Sequence, residues 1–278
     1  GEASALSYAV GEWARVWPLS RLIRSMGAYF IRRKSRGALY RKVLARYVQM
    51  ATEGGVTQAI FPEGGLSLNG KLMPPKMGLL GYVLEAELKD RDVVFVPVAI
   101  NYDRVLEDRV LIAADEAGTR RFDAQISVIL KFIVRKIWLR MRGKFLRFGE
   151  AVVVFGTPVH LRDYGDAPNV DGLAQDLMGR IEHEMPLLFV PLLARVLLLA
   201  EKPLDGVALE QEMQGMAARA SDEAAVVAQD FAANVATARD HLVQRGMIAA
   251  SDRGYAPVDG QRPALRFYAN SIAHFFDR

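Results

Sequence analysis

The chain has 278 residues, a net charge of +4, four histidines and no cysteine. It is long enough for one large domain or two small ones and for a core built without covalent staples. Disulfides, thiolate chemistry and Cys-ligated zinc are excluded, and none of His160, His183, His241 and His274 pairs with another at metal-ligand spacing, so no metal is expected.

The chain opens Gly1-Glu2-Ala3, without an initiator Met or a signal- or transit-like stretch, and is expected to be a fragment or a processed form. Residues 3–26 are predicted helical. Trp13, Val16, Trp17, Leu19, Leu22, Ile23 and Met26 recur at three- and four-residue intervals, on one helix or on two joined near Pro18. The tryptophans stand beside Arg15, Arg21 and Arg24, which suits a membrane interface or a core edge equally. Residues 27–31 are a short β-rich run that stops at Arg32-Arg33-Lys34. Three adjacent cations repel unless something negative sits there, and an Arg fork fits phosphate oxygens. A solvated basic loop is the plain alternative.

Residues 37–53 form an amphipathic helix with an apolar stripe of Leu39, Val43, Leu44, Tyr47, Val48 and Ala51, closed by Gly54-Gly55. A strand over 56–61, a helix over 79–88 and a strand over 93–100 follow. The last is predicted to be buried on both faces, with Pro97 marking an edge or a bulge. This alternation predicts an α/β fold, with a mixed, mostly parallel sheet flanked by helices.

Between the strand at 56–61 and the helix at 79–88 lies Pro62-Glu63-Gly64-Gly65-Leu66-Ser67, continued by Gly70-Lys71 and Pro74-Pro75-Lys76. Glu63 stands at the strand end, and Gly64 and Gly65 let backbone approach a ligand closely. Lys71 and Lys76 add positive charge. A small anionic substrate is the simplest occupant, and an ordinary turn with solvated lysines is the bland one.

Residues 104–124 are charged and predicted irregular. Residues 126–147 carry an apolar face of Ile129, Phe132, Ile133, Ile137, Trp138 and Met141, with seven cations and no acid. Such a helix reads as one lying on an anionic membrane, each cation adding roughly 1 kcal/mol. A helix packed on the sheet with a solvated basic face competes with that. Nucleic acid is not expected, because no recognised binding motif accompanies the charge. A strand over 151–160 and a helix over 173–184 come next. The apolar stretch 187–200, interrupted by Pro191 and Arg195, is too short to span a bilayer and is expected as a buried core helix.

Composition shifts near Lys202, which divides the chain into an α/β domain over 1–200 and a mainly helical domain over 201–278. The second holds helices over 206–219 and 222–244, a small hairpin around 251–254, and a last helix over 264–276 that docks through Tyr268, Ile272, Phe275 and Phe276.

Several of these stretches, in order, resemble the glycerol-3-phosphate acyltransferases of membrane lipid synthesis. Residues 27–33 are similar to the second family block, Phe61 to Ser67 with Gly70-Lys71-Leu72 and Pro74-Pro75-Lys76 to the third, and 94–100 to the fourth. Residues 267–274 resemble the bacterial membrane branch. The resemblance implies acyl transfer from acyl-CoA or acyl-carrier protein to the 1-hydroxyl of glycerol 3-phosphate. A His of an HxxxxD block is the general base, with no acyl-enzyme and no cofactor beyond the donor. It implies Glu63 and Gly64 in the catalytic site, Arg32, Arg33, Ser67 and Lys76 as substrate ligands, and Val96, Pro97 and Val98 on the acyl side. It also implies a membrane-associated protein on the cytoplasmic face of a bacterial inner membrane.

Two departures stand out. No histidine here has an Asp five residues on; the block belongs ahead of residues 3–10 and is expected in the complete protein. Leu66 and Leu68 occupy positions where many members carry arginines. Leucine cannot bind phosphate, so an acyltransferase with another acceptor, such as a lysophospholipid or dihydroxyacetone phosphate, is the alternative. A non-catalytic lipid- or acyl-carrier-binding protein of the same fold is a further one.

Overall fold

Residues 7–11 are a strand, not the start of a helix. The computed structural model describes residues 6–11, 19–32, 37–89, 91–118, 149–165, 168–220 and 230–277. Strand β1 (Ser7–Gly11) lies between β2 (Ala28–Ile31) and β3 (Gln58–Ala59), parallel to both. Two ladder partners outweigh the weak helical preference of its small residues. Only Leu19–Ser25, helix α1, remains of the expected helix among the described residues, and Trp13 and Trp17 lie outside them.

Helix α2 (Ala38–Glu53) connects β2 to β3 and ends at Gly54-Gly55, as expected. Its apolar stripe divides. Val48 and Thr52 are buried, whereas Leu39, Val43, Tyr47 and Met50 are 76%, 60%, 48% and 57% exposed. The inner face packs on α3 (Met77–Leu84), which buries Leu80 and Val83. The buried hydroxyl of Thr52 donates to the Val48 carbonyl and accepts from the Gln58 amide, each at 2.9 Å, so burial leaves it paired. The strand expected over 56–61 shrinks to two residues. Phe61-Pro62 leaves the sheet because proline has no N–H to give a ladder.

The strand expected over 93–100 is two strands, β4 (Val94–Phe95) and β5 (Val98–Tyr102), and it is not buried on both faces. Proline 97 interrupts it. Val94, Val96, Ile100 and Tyr102 face solvent, while Pro97, Ala99 and Asn101 are buried. The stretch 151–160 divides likewise at Gly156-Thr157-Pro158 into β6 (Ala151–Phe155) and β7 (Val159–His160). Strand β4 pairs antiparallel with β7, and β5 with β6. The fold is α/β with mixed pairing, and among the described residues parallel pairing is confined to β2-β1-β3.

Asp108–Glu116, within the stretch expected to be irregular, is helix α4. Its first residue, Asp108, is 3% exposed. The carboxylate is held by the Arg245 guanidinium and by the Tyr268 hydroxyl at 2.6 Å, so a charge that reads as surface in the sequence is an internal tie.

The largest core is C-terminal. Helix α5 (Val170–His183) is capped by Asn169, whose side chain accepts from the Asp171 N–H. Helix α6 (Phe189–Leu199) is apolar except for Arg195, which pairs with Asp277, and is central, as expected of a core helix. Pro191 falls in its first turn, where no intrahelical N–H is needed, and so does not break it. Around it pack α7 (Gly206–Ala220), α8 (Phe231–Gln244), the hairpin β8 (Ile248–Ser251) with β9 (Gly254–Pro257), and α9 (Arg262–Asn270). Because α6 belongs to this core, the packed helical region begins before the expected division at residue 200. The basic stretch 126–147 lies outside the described residues.

Candidate active site

Because β2, β1 and β3 are parallel, their C-terminal ends share one edge. That edge is where an open α/β sheet presents a site. It carries Arg32 after β2 and Phe61-Pro62-Glu63 after β3, separated by two strand spacings, about 10 Å.

The loop after β3 is pinched at its base. The Lys76 N–H donates to the Pro62 carbonyl at 2.7 Å, and the Gly64 N–H to the Phe61 carbonyl at 2.9 Å. Gly64 has φ +67°, and a Cβ there would lie 2.9 Å from Cγ of Lys76, so the lysine stem covers the glycine. Glu63 is half-buried, and its Oε2 accepts the Met73 N–H at 3.0 Å across the loop. Burial pushes its carboxyl above the usual range, and the Met73 amide opposes that shift. At the tip, the Ser67 hydroxyl donates to the Lys71 carbonyl at 2.7 Å and reaches Asn69 Oδ1 at 3.3 Å. Asn69 Oδ1 also accepts the Lys71 N–H at 3.0 Å. Ser67 therefore shapes the loop, and Glu63, Gly64, Ser67 and Lys76 belong to one closed unit.

The tip is seated on the C-terminal helix. The side-chain amide of Asn270 donates to the Asn69 carbonyl at 2.7 Å. Gly70, at φ +85°, stands against the Phe267 carbonyl. Leu68 packs on the C-terminal core, which accounts for an apolar residue there, whereas Leu66 is 64% exposed. A cavity of about 250 Å³ opens beside the tip, lined by Leu68, Asn69, Met73, Ala114, Asp115 and Gly118. The sequence did not point to Asn69, Phe267 and Asn270 as loop anchors. Residues 267–274 stood out only as a block of resemblance.

Arg32 is exposed at the β2 end, and its N–H donates to the Tyr40 hydroxyl at 2.7 Å, tying the strand end to α2. Arg33 lies outside the described residues. Val96, Pro97 and Val98 sit at the junction of β4 and β5. Val96 is 47% exposed, Pro97 is buried, and the Pro97 carbonyl accepts the Gly156 N–H at 2.8 Å. These three residues lie on the antiparallel ladders rather than on the parallel sheet.

Among the described residues, His160 pairs with an acid: its Nδ1 is 2.8 Å from Oδ2 of Asp92. The same carboxylate also accepts from Nε of Arg162 at 2.7 Å. The pair sits on the β4–β7 ladder and is not in contact with the Glu63 loop in any hydrogen bond described for either. No described helix is long and apolar enough to cross a membrane.

The acyltransferase family model matches residues 5–101, the stretch that holds the parallel sheet, Arg32 and the Glu63 loop. A second model, the glycerol-3-phosphate acyltransferase C-terminal region, matches residues 138–277, half of the chain. The chain belongs to the glycerol-3-phosphate acyltransferase family. It is 28% identical to a glycerol-3-phosphate acyltransferase of Alteromonas mediterranea over 302 aligned positions, covering 96% of this chain and 35% of that protein. It is 32% identical to one of Aeromonas hydrophila, and 29% to one of Pseudoalteromonas atlantica, each over 70% of this chain and 26% of the relative. The chain thus spans between a quarter and about a third of the length of these curated relatives.

Proposed function

We propose that this chain supplies the acceptor- and acyl-binding part of an enzyme that acylates the 1-hydroxyl of glycerol 3-phosphate. The observation that carries the reading is the pinched Glu63 loop at the same sheet edge as Arg32. Arg32, with Arg33 and Lys76, offers donors for the phosphate. The Glu63 carboxylate accepts from acceptor hydroxyls in a loop whose turn is made by Gly64. The acyl chain lies along Val96 and Val98, with Pro97 fixing their strand.

Transfer is direct. A base takes the proton of the 1-hydroxyl, the oxygen adds to the thioester carbonyl, and the thiolate leaves with a proton as the ester forms. The base is the histidine of an HxxxxD block, which none of the four histidines here provides. The donor is acyl-CoA or acyl-carrier protein. No metal or further cofactor takes part.

The product is a lipid, and we place the protein peripherally on the cytoplasmic side of a membrane. The exposed residues Leu39, Val43, Tyr47 and Met50 on α2, flanked by Lys42 and Arg46, support this, as does the basic composition of 126–147. The residues ahead of α6 would then form the catalytic unit, and α6 with 201–278 its helical support.

The test is glycerol-3-phosphate-dependent release of free thiol from acyl-CoA by the complete protein that contains these residues. Release is expected, with KM for glycerol 3-phosphate raised in Arg32→Ala. Absence of release with any acceptor would leave a lipid- or acyl-carrier-binding protein. The exposed Leu66 favours a second reading, in which the acceptor is amphiphilic; a lysophospholipid turned over faster than glycerol 3-phosphate would establish it.

A further inference from the structure

We infer that Asn270 is a positioning residue for the acceptor site: helix α9 holds the tip of the Glu63 loop and so fixes where the Glu63 carboxylate stands. The inference rests on the acceptor-site reading above and gives the C-terminal region a part in it.

The loop has two fastenings of different origin. Its base is closed by its own backbone, through Lys76 and Pro62. Its tip is fastened, among the described residues, to the C-terminal region. Asn270 grips the Asn69 carbonyl at 2.7 Å, Gly70 lies on the Phe267 carbonyl, and Leu68 enters the core to which Phe267 belongs. Between the two fastenings runs a chain of hydrogen bonds. Asn69 Oδ1 holds the Lys71 N–H at 3.0 Å, Ser67 holds the Lys71 carbonyl at 2.7 Å, and the Met73 N–H holds Glu63 at 3.0 Å. A shift of Asn69 therefore moves the strand of loop that carries the Met73 amide, and with it the carboxylate.

A loop tethered only at its base samples many conformations, and ordering it on ligand binding costs free energy. Fastening the tip beforehand removes that cost, which is preorganisation. The contacts join residues matched by the acyltransferase model to residues matched by the C-terminal model. The C-terminal region is thus part of the acceptor site without needing to touch the acceptor.

The test uses the full chain and three measurements: hydrogen exchange over 63–76, calorimetric affinity for glycerol 3-phosphate, and affinity for a long-chain acyl-CoA. Asn270→Asp keeps the shape of the side chain and removes the donor. We expect exchange of the Met73 and Lys71 amides to rise, and glycerol 3-phosphate affinity to fall, by about tenfold, as for loss of one hydrogen bond to a carbonyl and the repulsion replacing it. Exchange over 189–199 and acyl-CoA affinity should not move, which separates positioning from general destabilisation. Gly70→Ala should loosen the same amides by an independent route. Unchanged exchange over 63–76 in both variants overturns the inference, and so does loosened exchange with unchanged glycerol 3-phosphate affinity. If the wild-type chain binds no glycerol 3-phosphate while Asn270→Asp still loosens the loop, the acceptor reading fails and the anchoring by α9 stands.

Discussion

Gly70 and Phe267 stand so close that a Cβ added to the glycine would lie 1.9 Å from the Phe267 carbonyl oxygen. No side chain fits there without moving the backbone of α9 or the loop. Gly70→Ala is therefore expected to lower stability through two effects. The left-handed φ of +85° alone costs about 1–2 kcal/mol for an L-residue, and the clash adds to it. Urea unfolding checks the sum, and a wild-type midpoint in the variant would show that the loop is not seated on α9.

Two buried groups set opposing pH dependences. Burial pushes the Asp103 carboxyl up to about 6; the Val190 N–H opposes this and Glu150 reinforces it. The folded protein then holds this proton more tightly than the unfolded chain, so the contribution is favourable in acid and lost as pH rises from about 4 to 6. Burial, with Arg245 and Arg104 nearby, pushes His241 down to about 4, and its Nε2 has no partner among the described residues. Here the contribution is present above about 6.5 and lost as pH falls toward 4. Asp103→Asn should raise stability at pH 8 by roughly 2 kcal/mol and do little at pH 4, because the amide oxygen still accepts from Val190. His241→Leu should flatten the acid limb and cost little at pH 7, since it removes an orphan polar atom. Urea midpoints from pH 4 to pH 8 separate the two.

The Asp108–Arg245–Tyr268 cluster is the main polar tie inside the C-terminal core. The Arg245 guanidinium also donates to the Tyr268 hydroxyl at 2.8 Å, and that hydroxyl accepts the Val105 N–H at 3.1 Å. Arg245→Met leaves Asp108 buried and uncompensated and should cost about 3–5 kcal/mol. Tyr268→Phe takes a hydroxyl from Asp108, Arg245 and the Val105 N–H but keeps the ion pair, and should cost about 2 kcal/mol. A reversal of that order in thermal or urea unfolding would mean that the Tyr268 hydroxyl, not the Arg245–Asp108 pair, is the main tie of the cluster.

Helix α2 offers a direct test of membrane contact. Its outward stripe carries Leu39, Val43, Tyr47 and Met50, and Lys42 and Arg46 border it, with Arg46 also bound to Glu53 at 2.9 Å. Val43→Glu with Met50→Glu should weaken co-sedimentation with anionic vesicles by about a hundredfold or more, since burying two such side chains is worth roughly 3–6 kcal/mol. Equal binding by the double variant would move the contact elsewhere.

Much of this molecule was legible in its residues, and the rest was not, for identifiable reasons. Strand β2, helix α2, the apolar helix α6 and the hairpin around Asp252 announce themselves through period, glycine and length. Strand β1 does not, because its small residues suit a helix and only its two neighbours make it a strand. Helix α4 was hidden because its buried Asp108 looks like a surface charge until Arg245 is brought to it. Within the site, Glu63 and Gly64 stood out from local chemistry alone. Their anchor did not: Asn69 and Asn270 are 201 positions apart, and local pattern carries no information about that contact. The α2 stripe was legible, but not which half of it is covered, because periodicity tells which residues share a face and not what packs on it.

The position of α6 governs how this protein can be cut. Eight of its eleven residues are buried, and α7, α8 and α9, all beyond residue 200, rest against it. A piece beginning at 201 would therefore keep α7, α8 and α9 and lose the element they close around, turning their inner faces into exposed apolar surface. Anyone isolating the C-terminal region for study should begin ahead of Met185, keeping Leu187 and Leu188 with the helix they lead into; a break in the connection between α6 and α7 divides a single core and should yield aggregates rather than two folded parts.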